Sequence, residues 1–565
     1  MEQPLCPSLF PRVPPFIKFI PAINPDGTLE KGQQYWDRDN WDQERLWRIP
    51  MAMESWIQIW AQMSKPLDFH HPTRNTWHIS KGECLTKDVS LRSSVIHATT
   101  IVNKDVIARR SRRSLALSRS FNLEPFTEKA EDAINFMDQH PGVKLIMFAK
   151  MHEIARKNIL GERFFIMQTQ FPKDFNIHPL TFSLPGQREA LQIAMKKDPQ
   201  GLWIIKPPNS NNGNGVRLIT TFDPLPSGKT CVQSYIRDPF LIRGCKFDIR
   251  VYVLLTSLDP LLIYLYDDGL VRIATERYTE NPRSAKNNWI HVTNAAVNQS
   301  NNEKYIFNDM PDQCFGHKWR LKCLWAYLSE HGLSQVELDL IWNRIEDAVI
   351  KTIFTSYHEM QAEYNRVTKE SNYNSYKVLG FDLLLDRKLN IFVIEVNARP
   401  ALLSQPLDQS VNRPMLQEMV NILGFRIPSK CNEHQNLIKE RFPHCSKSQF
   451  FTFEWKIHCR ILSNHDEHKQ EMFLSLPRSE YLESILKELT PCDVRTLIKL
   501  EHEFSQLHHF SRIFPTQQSN EYFQFCMNKE SYYDRLVDAY EHKFSNDRGM
   551  GLKLLRTLCL KDVHL

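Results

Sequence analysis

Glycine is scarce in this chain, and features that would place it in a specialised class of protein are missing. Only 18 of its 565 residues are glycine, against an average usage of about 7%. No stretch approaches the roughly 18 uninterrupted apolar residues of a membrane-spanning helix. The first residues lack the charged-then-apolar pattern of a signal peptide. We therefore expect neither a membrane span nor a secretion signal.

Cysteine spacing and net charge exclude two further classes. The 12 cysteines follow no framework spacing, which favours a reducing cytosol over a disulfide scaffold. Their spacings relative to histidine match no regular zinc finger, so we interpret as structural the candidates Cys431, His434, His444, Cys445, His458 and Cys459. A net charge of +6 gives no argument for nucleic acid, although a local basic surface could still face an acidic protein.

Length and patterning divide the chain into three predicted regions. A chain of 565 residues, 42% hydrophobic and 24% charged, is globular and too long for one ordinary core. We predict an N-terminal region over residues 1–142 with an irregular insertion at about 82–142. Residues 143–428 alternate strand-like and helix-like patterns, which predicts an α/β or α+β core. Residues 429–565 are predicted to form a mostly helical extension.

Turn signals separate the predicted strands of the core. Ile249 to Ser257 and Leu261 to Tyr266 are apolar runs with Asp259-Pro260 between them, as expected for two strands joined by a turn. Asp268-Gly269 predicts a second turn before a strand over Leu270 to Ala274.

Two serine or threonine residues mark predicted helix starts. Ser334 and Glu337 form a capping box, and Thr490 with Asp493 marks another helix start. At helical spacing behind the first lies an apolar stripe made of Val336, Leu340, Ile341, Ile345 and Val349.

Lys206 ends the buried strand predicted over Trp203 to Lys206 and precedes a loop rich in asparagine and glycine. A lysine at this position can meet a phosphate oxygen as a point charge; the alternative is an exposed lysine at a strand end. The loop, Ser210 to Gly215, includes Asn212, Gly213 and Gly215. Glycine permits left-handed backbone angles, so successive amides of such a loop can point inward as an anion nest. The loop lacks the Gly-Lys-Ser/Thr of a P-loop.

A second group of polar residues follows on strands. Gln233 to Ile236 could supply a hinge whose backbone groups read an adenine edge. Lys246, Asp248 and Arg250 alternate, so in a strand all three project to one face. This row is either a surface ion pair of little energetic value or a polar pocket floor, which Arg272 on a neighbouring predicted strand could join.

Residues 379–397 predict a β-hairpin. If Leu379–Asp386 and Leu389–Asn397 pair around a two-residue turn at Arg387-Lys388, Asp382 faces Val393. A three-residue turn would instead place the polar side chains of the two strands on opposite faces.

With the two-residue turn, Glu395 lies diagonally from Asp382 on the same face, and Asn397 continues that row. Two carboxylates and an amide oxygen without a cation between them would repel each other. Magnesium relieves the repulsion, because it prefers hard oxygen ligands and ATP phosphates can complete its shell. The hairpin therefore predicts a magnesium site.

Taken together, these motifs resemble the tubulin tyrosine ligase-like family, whose core is an ATP-grasp-type ligase. The matching strings are Lys206-Pro207-Pro208 with Gly213-x-Gly215, Lys246-Phe247-Asp248-Ile249-Arg250, His291-Val292-Thr293-Asn294, Gly316-His317-Lys318-Trp319, Gly380-Phe381-Asp382 and Glu395-Val396-Asn397. Both ends of the chain are similar to the polyglutamylase subtype numbered four. The resemblance covers both ends and the core and leaves out only about residues 82–142.

The resemblance implies ATP- and Mg²⁺-dependent ligation of free L-glutamate onto glutamate side chains of acidic tubulin tails, through an acyl phosphate. The residues implied to bind ATP are Lys157, Lys206, Asn212, Gly213, Gly215, Gln233, Tyr235, Ile236, Lys246, Asp248 and Thr293. Those implied to act in catalysis are Arg250, Arg272, His291 and Asn294. Those implied to bind Mg²⁺ are Asp382, Glu395 and Asn397. It further implies a monomer in the cytoplasm on the cytoskeleton, a cilium or basal body included, with no nucleic acid or membrane partner.

Two alternatives stay open at this point. The first is a ligase of the same fold that adds another amino acid, such as glycine, or uses a non-tubulin acidic acceptor. The second is a non-catalytic microtubule-binding module. Asn212, Ala295 and Ala296 motivate it, because the family usually has Arg or Gln at the first position and an aromatic-Ser pair at the other two.

Overall fold

A computed structural model of the chain describes residues 148, 150–207, 215–368, 375–402, 405–423, 462–526 and 530–564. The predicted N-terminal region and its insertion therefore lie outside the described residues. So do Asn212, Gly213 and the cysteine and histidine candidates between residues 431 and 459.

Helices and strands alternate through the described residues. The α-helices are α1 (His152–Ala155), α2 (Lys157–Gln170), α3 (Arg188–Lys197), α4 (Asn288–His291), α5 (Ala295–Gln299), α6 (Leu321–Glu330), α7 (Gln335–Phe354), α8 (Tyr357–Thr368), α9 (Pro406–Leu423), α10 (Asn464–Ser475), α11 (Arg478–Ser484), α12 (Pro491–Ser505), α13 (Asn520–Phe523), α14 (Tyr532–Phe544) and α15 (Arg548–Leu560). The strands are β1 (Thr181–Leu184), β2 (Leu202–Lys206), β3 (Arg217–Thr220), β4 (Thr230–Ser234), β5 (Leu241–Ile242), β6 (Cys245–Leu258), β7 (Leu261–Arg277), β8 (Lys318–Arg320), β9 (Lys377–Leu385), β10 (Ile391–Asn397) and β11 (Phe510–Phe514).

Within the described part of the chain the strands form two sheets. The smaller has the order β1-β4-β2-β3. The larger has the order β10-β9-β6-β7-β11, with β5 beside β6 and β8 beside β7. Every pairing in both sheets is antiparallel, so the predicted mixed core is an α+β fold.

Strand β6 crosses the middle of the larger sheet, and its two faces differ. Phe247 and Ile249 point into a hydrophobic core that α7 also lines. On the opposite face the strand begins with the predicted polar row, and its later residues Tyr252 and Leu254 enter a second core built with the C-terminal helices. The polar row thus lies on the N-terminal half of this face, and the second core covers its C-terminal half.

The described residues of the C-terminal extension, 462–526 and 530–564, are built into the same sheet. Its strand β11 pairs with β7, and its helices α12 and α14 pack side chains against β6 and β7 in the second core. Glu418 of α9 accepts the backbone amides of His508 at 2.6 Å, His509 at 3.0 Å and Phe510 at 2.9 Å, which fixes the entry into β11. The boundary at 428/429 stays a prediction, while sheet and core are shared by residues on both sides of it.

Of the two predicted turns, one is confirmed. β6 ends at Leu258 and β7 begins at Leu261, so the chain reverses at Asp259-Pro260. The turn predicted at Asp268-Gly269 is wrong, because β7 runs through it and the pairing with β6 is irregular there. Gly269 is needed for close approach, since a Cβ there would lie 2.2 Å from the carbonyl oxygen of Arg250.

The predicted helix starts are confirmed. Ser334 and Thr490 both cap helices through capping boxes. The predicted stripe on α7 is only partly right: Ile341, Ile345 and Val349 are buried, but Val336 is 77% exposed and Leu340 is 40% exposed. No helix in the described ranges has the length and apolar character needed to span a bilayer.

Candidate active site

The polar row on β6 faces partners on both neighbouring strands. Asp248 lies directly opposite Arg272 of β7, and Arg250 lies directly opposite Asp382 of β9. Residues opposite each other in antiparallel strands share a face. The row predicted from alternation is therefore a charged surface that extends over three strands.

Bidentate ion pairs hold this surface together. Arg272 donates to both oxygens of Asp248 at 2.7 and 2.8 Å and also reaches Asp382 at 2.8 Å. Arg250 donates to both oxygens of Asp382, one of them at 3.0 Å. All four side chains are buried, so the alternative of a solvent-exposed surface ion pair is excluded. Such planar, charge-assisted contacts fix geometry strongly.

The β9–β10 hairpin differs from its prediction by one residue. The Asp386 amide donates to the Asn390 carbonyl at 3.0 Å, so the turn holds three residues, 387–389. Leu389 has a φ of 62°, the left-handed conformation that the last residue of such a turn requires. The predicted pairing of Asp382 with Val393 is therefore wrong, because Val393 lies opposite Leu383.

A β-bulge in β10 restores the arrangement that the longer turn would have destroyed. The register shifts between Val393 and Glu395, so that Glu395 lies directly opposite Asp382. Asn397 joins them: its Nδ2 lies 3.1 Å from the Glu395 Oε1 and 3.4 Å from the Asp382 Oδ2. The structure thus brings together the three residues predicted to bind magnesium, by a different register.

Two lysines approach this cluster from other elements. Lys157, at the start of α2, forms an ion pair with Glu395 at 3.0 Å. Lys206 ends β2, as predicted, and its Nζ donates to the Oε1 of Gln233 at 2.5 Å. At the far side of the loop, Gly215 has a φ of +72°, which agrees with the predicted left-handed backbone. Both lysines lie where anionic groups on the sheet face would meet them.

A hydrogen-bonded chain links Lys246 to His291. The Nζ of Lys246 donates to the Tyr235 hydroxyl at 2.9 Å, and that hydroxyl lies 3.0 Å from Nδ1 of His291. The Tyr235 amide donates to the Leu202 carbonyl at 2.9 Å. An adenine-reading hinge would therefore have to use other backbone groups than this amide, such as those of Ile236.

Of the two predicted pocket residues Thr293 and Asn294, the first lies on the charged surface and the second caps a helix. The Thr293 hydroxyl donates to Asp248 and so belongs to the charged surface. Asn294 is the N-cap of α5, where its side chain accepts the Ala296 amide at 2.9 Å. Its oxygen is thus engaged in a helix cap, and a catalytic role stays a prediction.

Burial changes the protonation of the cationic groups. It lowers the pKa of Lys246 to about 7, and the positive charge of Lys206 acts in the same direction. Burial also lowers the pKa of Lys206 to about 8, although Glu395 partly opposes it. Burial would raise the pKa of the Asp382 carboxyl, but the guanidinium groups of Arg250 and Arg272 outweigh it and hold that pKa well below its usual value.

The site carries an excess of positive charge. Its cationic side chains are Lys157, Lys206, Lys246, Arg250 and Arg272, and its carboxylates are Asp248, Asp382 and Glu395. Five cations therefore face three anions when every group is ionised. Buried charge that is not balanced is costly, so this site is suited to an anionic ligand such as a polyphosphate.

Two further buried residues beside the site, Lys318 and His178, were not among the predicted site residues. Lys318 of β8 forms an ion pair with Asp408 of α9 and lies 3.3 Å from the Gln405 side chain. His178, just before β1, contacts the Gln233 side chain at 3.2 Å. Lys318 lies within one of the family strings, whereas a single histidine between apolar residues carries no signal.

Asp382, Glu395 and Asn397 fit a magnesium ion. Their oxygens are hard donors of the type that Mg²⁺ prefers. The Asn397 amide places N–H donors toward both carboxylates, so partial positive charge already lies between them where a cation would. A cation would take the Oδ1 of Asn397 instead, after the amide has turned over, and would share Glu395 with Lys157 and Asp382 with Arg250 and Arg272.

Comparisons with known proteins find a family similarity over the part of the chain that contains this site. A family model described as "Tubulin-tyrosine ligase family" matches residues 136–435, just over half of the 565-residue chain. This range contains each residue of the charged surface.

Three curated relatives extend the similarity beyond that range. Human "Tubulin monoglutamylase TTLL4" is 36% identical over 430 residues, which is 75% of this chain and 35% of the relative. Human "Tubulin polyglutamylase TTLL5" is 31% identical over 420 residues, 73% of this chain and 32% of the relative. "Tubulin polyglutamylase ttll-4" of Caenorhabditis elegans is 28% identical over 429 residues, 74% of this chain and 67% of the relative. The chain spans about a third of the length of the two human relatives.

Proposed function

Because the chain belongs to the tubulin-tyrosine ligase family, we propose that it is an ATP-dependent ligase that joins glutamate to glutamate side chains of tubulin tails. Membership confirms the resemblance found in the sequence motifs. The relatives' names support the substrate, since they describe tubulin monoglutamylases and polyglutamylases. We propose polyglutamylation, in which the enzyme also extends the chain that it starts.

One observation carries this proposal: a cation-rich sheet face on which Asp382, Glu395 and Asn397 converge. The excess positive charge suits the phosphates of ATP. The three oxygen donors suit the magnesium ion that accompanies ATP. A binding module would have no need of both features on one buried surface.

The nucleotide would lie between the two sheets. Lys157, Lys206 and Lys246 would contact its phosphates, together with the loop that contains Gly215 and, outside the described residues, Asn212 and Gly213. Gln233, Tyr235 and Ile236 would line the adenine side, while Asp248 and Thr293 would anchor the polar floor. Bound magnesium would neutralise phosphate charge as the γ-phosphoryl group is transferred.

The reaction needs no covalent protein nucleophile. An oxygen of the acceptor γ-carboxylate attacks the γ-phosphorus of ATP, which forms an acyl phosphate and releases ADP. The amine of free glutamate then attacks the acyl carbon, loses a proton and expels phosphate, which leaves an amide bond. Arg250 and Arg272 would stabilise the charge of the acyl phosphate, and His291 and Asn294 would line the pocket. Catalysis here is positioning and charge stabilisation.

The proposed partners follow from this chemistry. The acceptor is the acidic tail of tubulin or microtubules, the second substrate is free L-glutamate, and the enzyme acts as a monomer. Such an enzyme would work in the cytoplasm on the cytoskeleton, with a cilium or basal body as one such location.

The test is incorporation of labelled amino acids into purified tubulin in the presence of ATP and Mg²⁺. We expect glutamate to be incorporated and glycine not. Mass spectrometry of the tails then gives the number of glutamates added per site. Incorporation of glycine alone would contradict the choice of amino acid, and labelling of another acidic protein but not tubulin would contradict the acceptor.

A matched pair of variants separates catalysis from binding. Glu395→Gln removes a carboxylate of the site and is expected to lower incorporation by at least about a hundredfold, with tubulin binding unchanged. Glu303→Gln changes an exposed glutamate and is expected to behave as wild type. A Glu395→Gln enzyme that retained full incorporation would exclude the proposed chemistry, and a wild-type protein that binds microtubules without ligase activity would favour a binding module.

A further inference from the structure

His178 contacts both halves of the candidate site. It is 3% exposed, and its ring stacks on Phe164 with centroids 4.4 Å apart and an interplanar angle of 10°. One ring nitrogen faces the strand that carries Glu395, and the other faces the side chain that holds Lys206. The stacking fixes the plane of the ring, and therefore the direction of both nitrogens.

The first contact is with the bulge in β10. Nδ1 of His178 lies 2.7 Å from the Val393 carbonyl oxygen, and the Val393 amide donates to the Ile177 carbonyl at 2.8 Å. β10 is an edge strand of its sheet, so residues 177–178 satisfy backbone groups on its outer side. The next residue but one, Glu395, is the one that the bulge turns toward Asp382.

The second contact orients an amide. A carbonyl oxygen only accepts hydrogen bonds, so Nδ1 of His178 carries the proton. Burial lowers the pKa of His178 to about 3, so the ring is neutral and Nε2 is an acceptor. Gln233 Nε2 donates to this atom at 3.2 Å and to the Thr181 hydroxyl at 2.8 Å.

Two acceptors therefore face the amino group of the Gln233 amide, which leaves its oxygen directed at Lys206. The Thr181 hydroxyl lies 3.1 Å from Nε2 of His178 and donates its own hydrogen to the Pro179 carbonyl at 2.7 Å. It is therefore a second acceptor for the Gln233 amide, and His178 shares with it the orientation of that amide. If the amide turned over, its N–H groups would face the lysine ammonium.

We propose that His178 is a positioning residue that fixes Glu395 through the Val393 carbonyl and fixes Lys206 through the Gln233 amide. One rigid, neutral ring thus sets the carboxylate that faces the metal and the ammonium that faces the phosphates. The inference rests on the proposed function, because it relates the Nδ1 contact of His178 to the metal site and its Nε2 contact to nucleotide binding.

Two substitutions separate the Nδ1 contact of His178 from its Nε2 contact. His178→Asn retains an N–H donor near the position of Nδ1 and removes the acceptor for Gln233. His178→Gln retains an acceptor near the position of Nε2 and removes the donor to Val393. A loss of packing alone would affect both variants in the same way, so a split between them marks a positioning role.

Nucleotide affinity is measured by calorimetry with ATP, once with EDTA and once with saturating Mg²⁺. We expect His178→Asn to weaken binding in EDTA about five- to tenfold, the size of one hydrogen bond, with the stimulation by Mg²⁺ unchanged. We expect His178→Gln to bind normally in EDTA and to lose about five- to tenfold of the stimulation by Mg²⁺. As a cross-check, Gln233→Ala combined with His178→Asn should weaken binding no more than Gln233→Ala alone.

Hydrogen exchange of the nucleotide-free protein tests the bulge contact independently. The Val393 amide should exchange faster in His178→Gln than in wild type and at the wild-type rate in His178→Asn. If the Val393 exchange rates of the two variants differ but the protein binds no ATP, the proposed function is refuted and the contact between His178 and the bulge is supported. Equal exchange in the two variants, or equal changes in both affinities, would overturn the inference.

Discussion

Asp382 and Glu395 lie directly opposite each other on neighbouring antiparallel strands, although the turn between the strands is one residue too short for that pairing in a regular hairpin. The bulge after Val393 supplies the compensating residue. Relative to a hairpin with a two-residue turn, the longer turn and the bulge each shift the register by one residue, and together they shift it by two, which keeps Glu395 on the same face as Asp382. Any change that removes one of them alone would rotate Glu395 to the other face of the sheet.

The charge network around Asp382 predicts a large stability effect. Asp382→Asn would leave Arg250 and Arg272 buried without their shared carboxylate, at a cost of about 3–5 kcal/mol. Denaturant unfolding measures this change. The control is Asp198→Asn, whose ion pair with Arg237 is 49% and 39% exposed; we expect it to cost less than about 1 kcal/mol. Equal effects of the two substitutions would show that the buried network contributes little.

Replacing Gly269 with alanine should displace β6 and thereby disturb the candidate site. In Gly269→Ala the new Cβ would lie 2.2 Å from the Arg250 carbonyl oxygen, so β6 must move away. We expect a loss of about 1–3 kcal/mol and a drop in ligase activity, because Arg250 moves with its backbone. In Gly228→Ala the Cβ meets nothing within 4 Å, and we expect a change within about 0.5 kcal/mol. A Gly269→Ala enzyme as stable and active as wild type would contradict the close approach.

Nucleotide binding should weaken as pH rises. The pKa of Lys246 is lowered to about 7 by burial, and phosphate binding requires its charged form. Affinity for ATP should therefore be full near pH 6 and fall above pH 7, by up to about tenfold per unit, until the pKa of the complex is reached. At pH 8, calorimetry in buffers of different ionisation enthalpy should show uptake of about one to one and a half protons on binding, from Lys246 and in part from Lys206, whose pKa is lowered to about 8. Binding without proton uptake at pH 8 would mean that Lys246 is already charged in the free protein.

Asp534 predicts a pH-dependent stability. Burial and the neighbouring Asp259 raise the pKa of Asp534 to about 6. A raised pKa contributes stability that is complete below the unfolded value, near pH 4, and is lost as pH rises through 6. Relative to Asp534→Asn, the wild type should lose on the order of 3 kcal/mol between pH 4 and pH 7, as measured by urea unfolding across that range.

Asp466 provides a control of opposite sign, because it forms the capping box of α10 with Ser463 as Asp534 forms that of α14 with Ser531. Burial would raise the pKa of Asp466, but its hydrogen bonds from Ser463 lower it. The stability due to Asp466 should therefore be present at neutral pH and lost on acidification. If both aspartates responded to pH in the same direction, the assignment for Asp534 would be wrong.

The alternating row on β6 was predictable because a strand has a strict period of two. Once residues 246–250 are assigned to a strand, Lys246, Asp248 and Arg250 must share a face. Arg272 can join that face if it lies on a neighbouring strand. The identity of the ion pairs was not predictable, because it depends on the registers of β6 with β7 and β9.

The hairpin register could not be read from sequence for two reasons. The left-handed position of the turn usually carries glycine, but here Leu389 occupies it, so nothing marked a three-residue turn. The bulge lies among apolar residues that suit a regular strand equally well. The pairing of Asp382 with Glu395 thus follows from tertiary structure.

Asp268-Gly269 shows how a correct local signal can be given the wrong meaning. Glycine there does report a backbone requirement, but the requirement is close approach to Arg250 within a continuous strand. Asp268 is buried and accepts hydrogen bonds from Arg320 at 2.7 and 2.9 Å. Its side chain therefore forms an ion pair within the sheet and does not form a turn.

The pairing of β11 with β7 has a consequence for synthesis of the protein. Ser511 lies opposite Leu265, a residue that precedes it by 246 positions. On the ribosome, the part of the β7 edge that pairs with β11 must therefore wait unpaired until 246 further residues have been translated. An open strand edge is a template for aggregation, so the nascent chain should depend on chaperones until β11 has emerged.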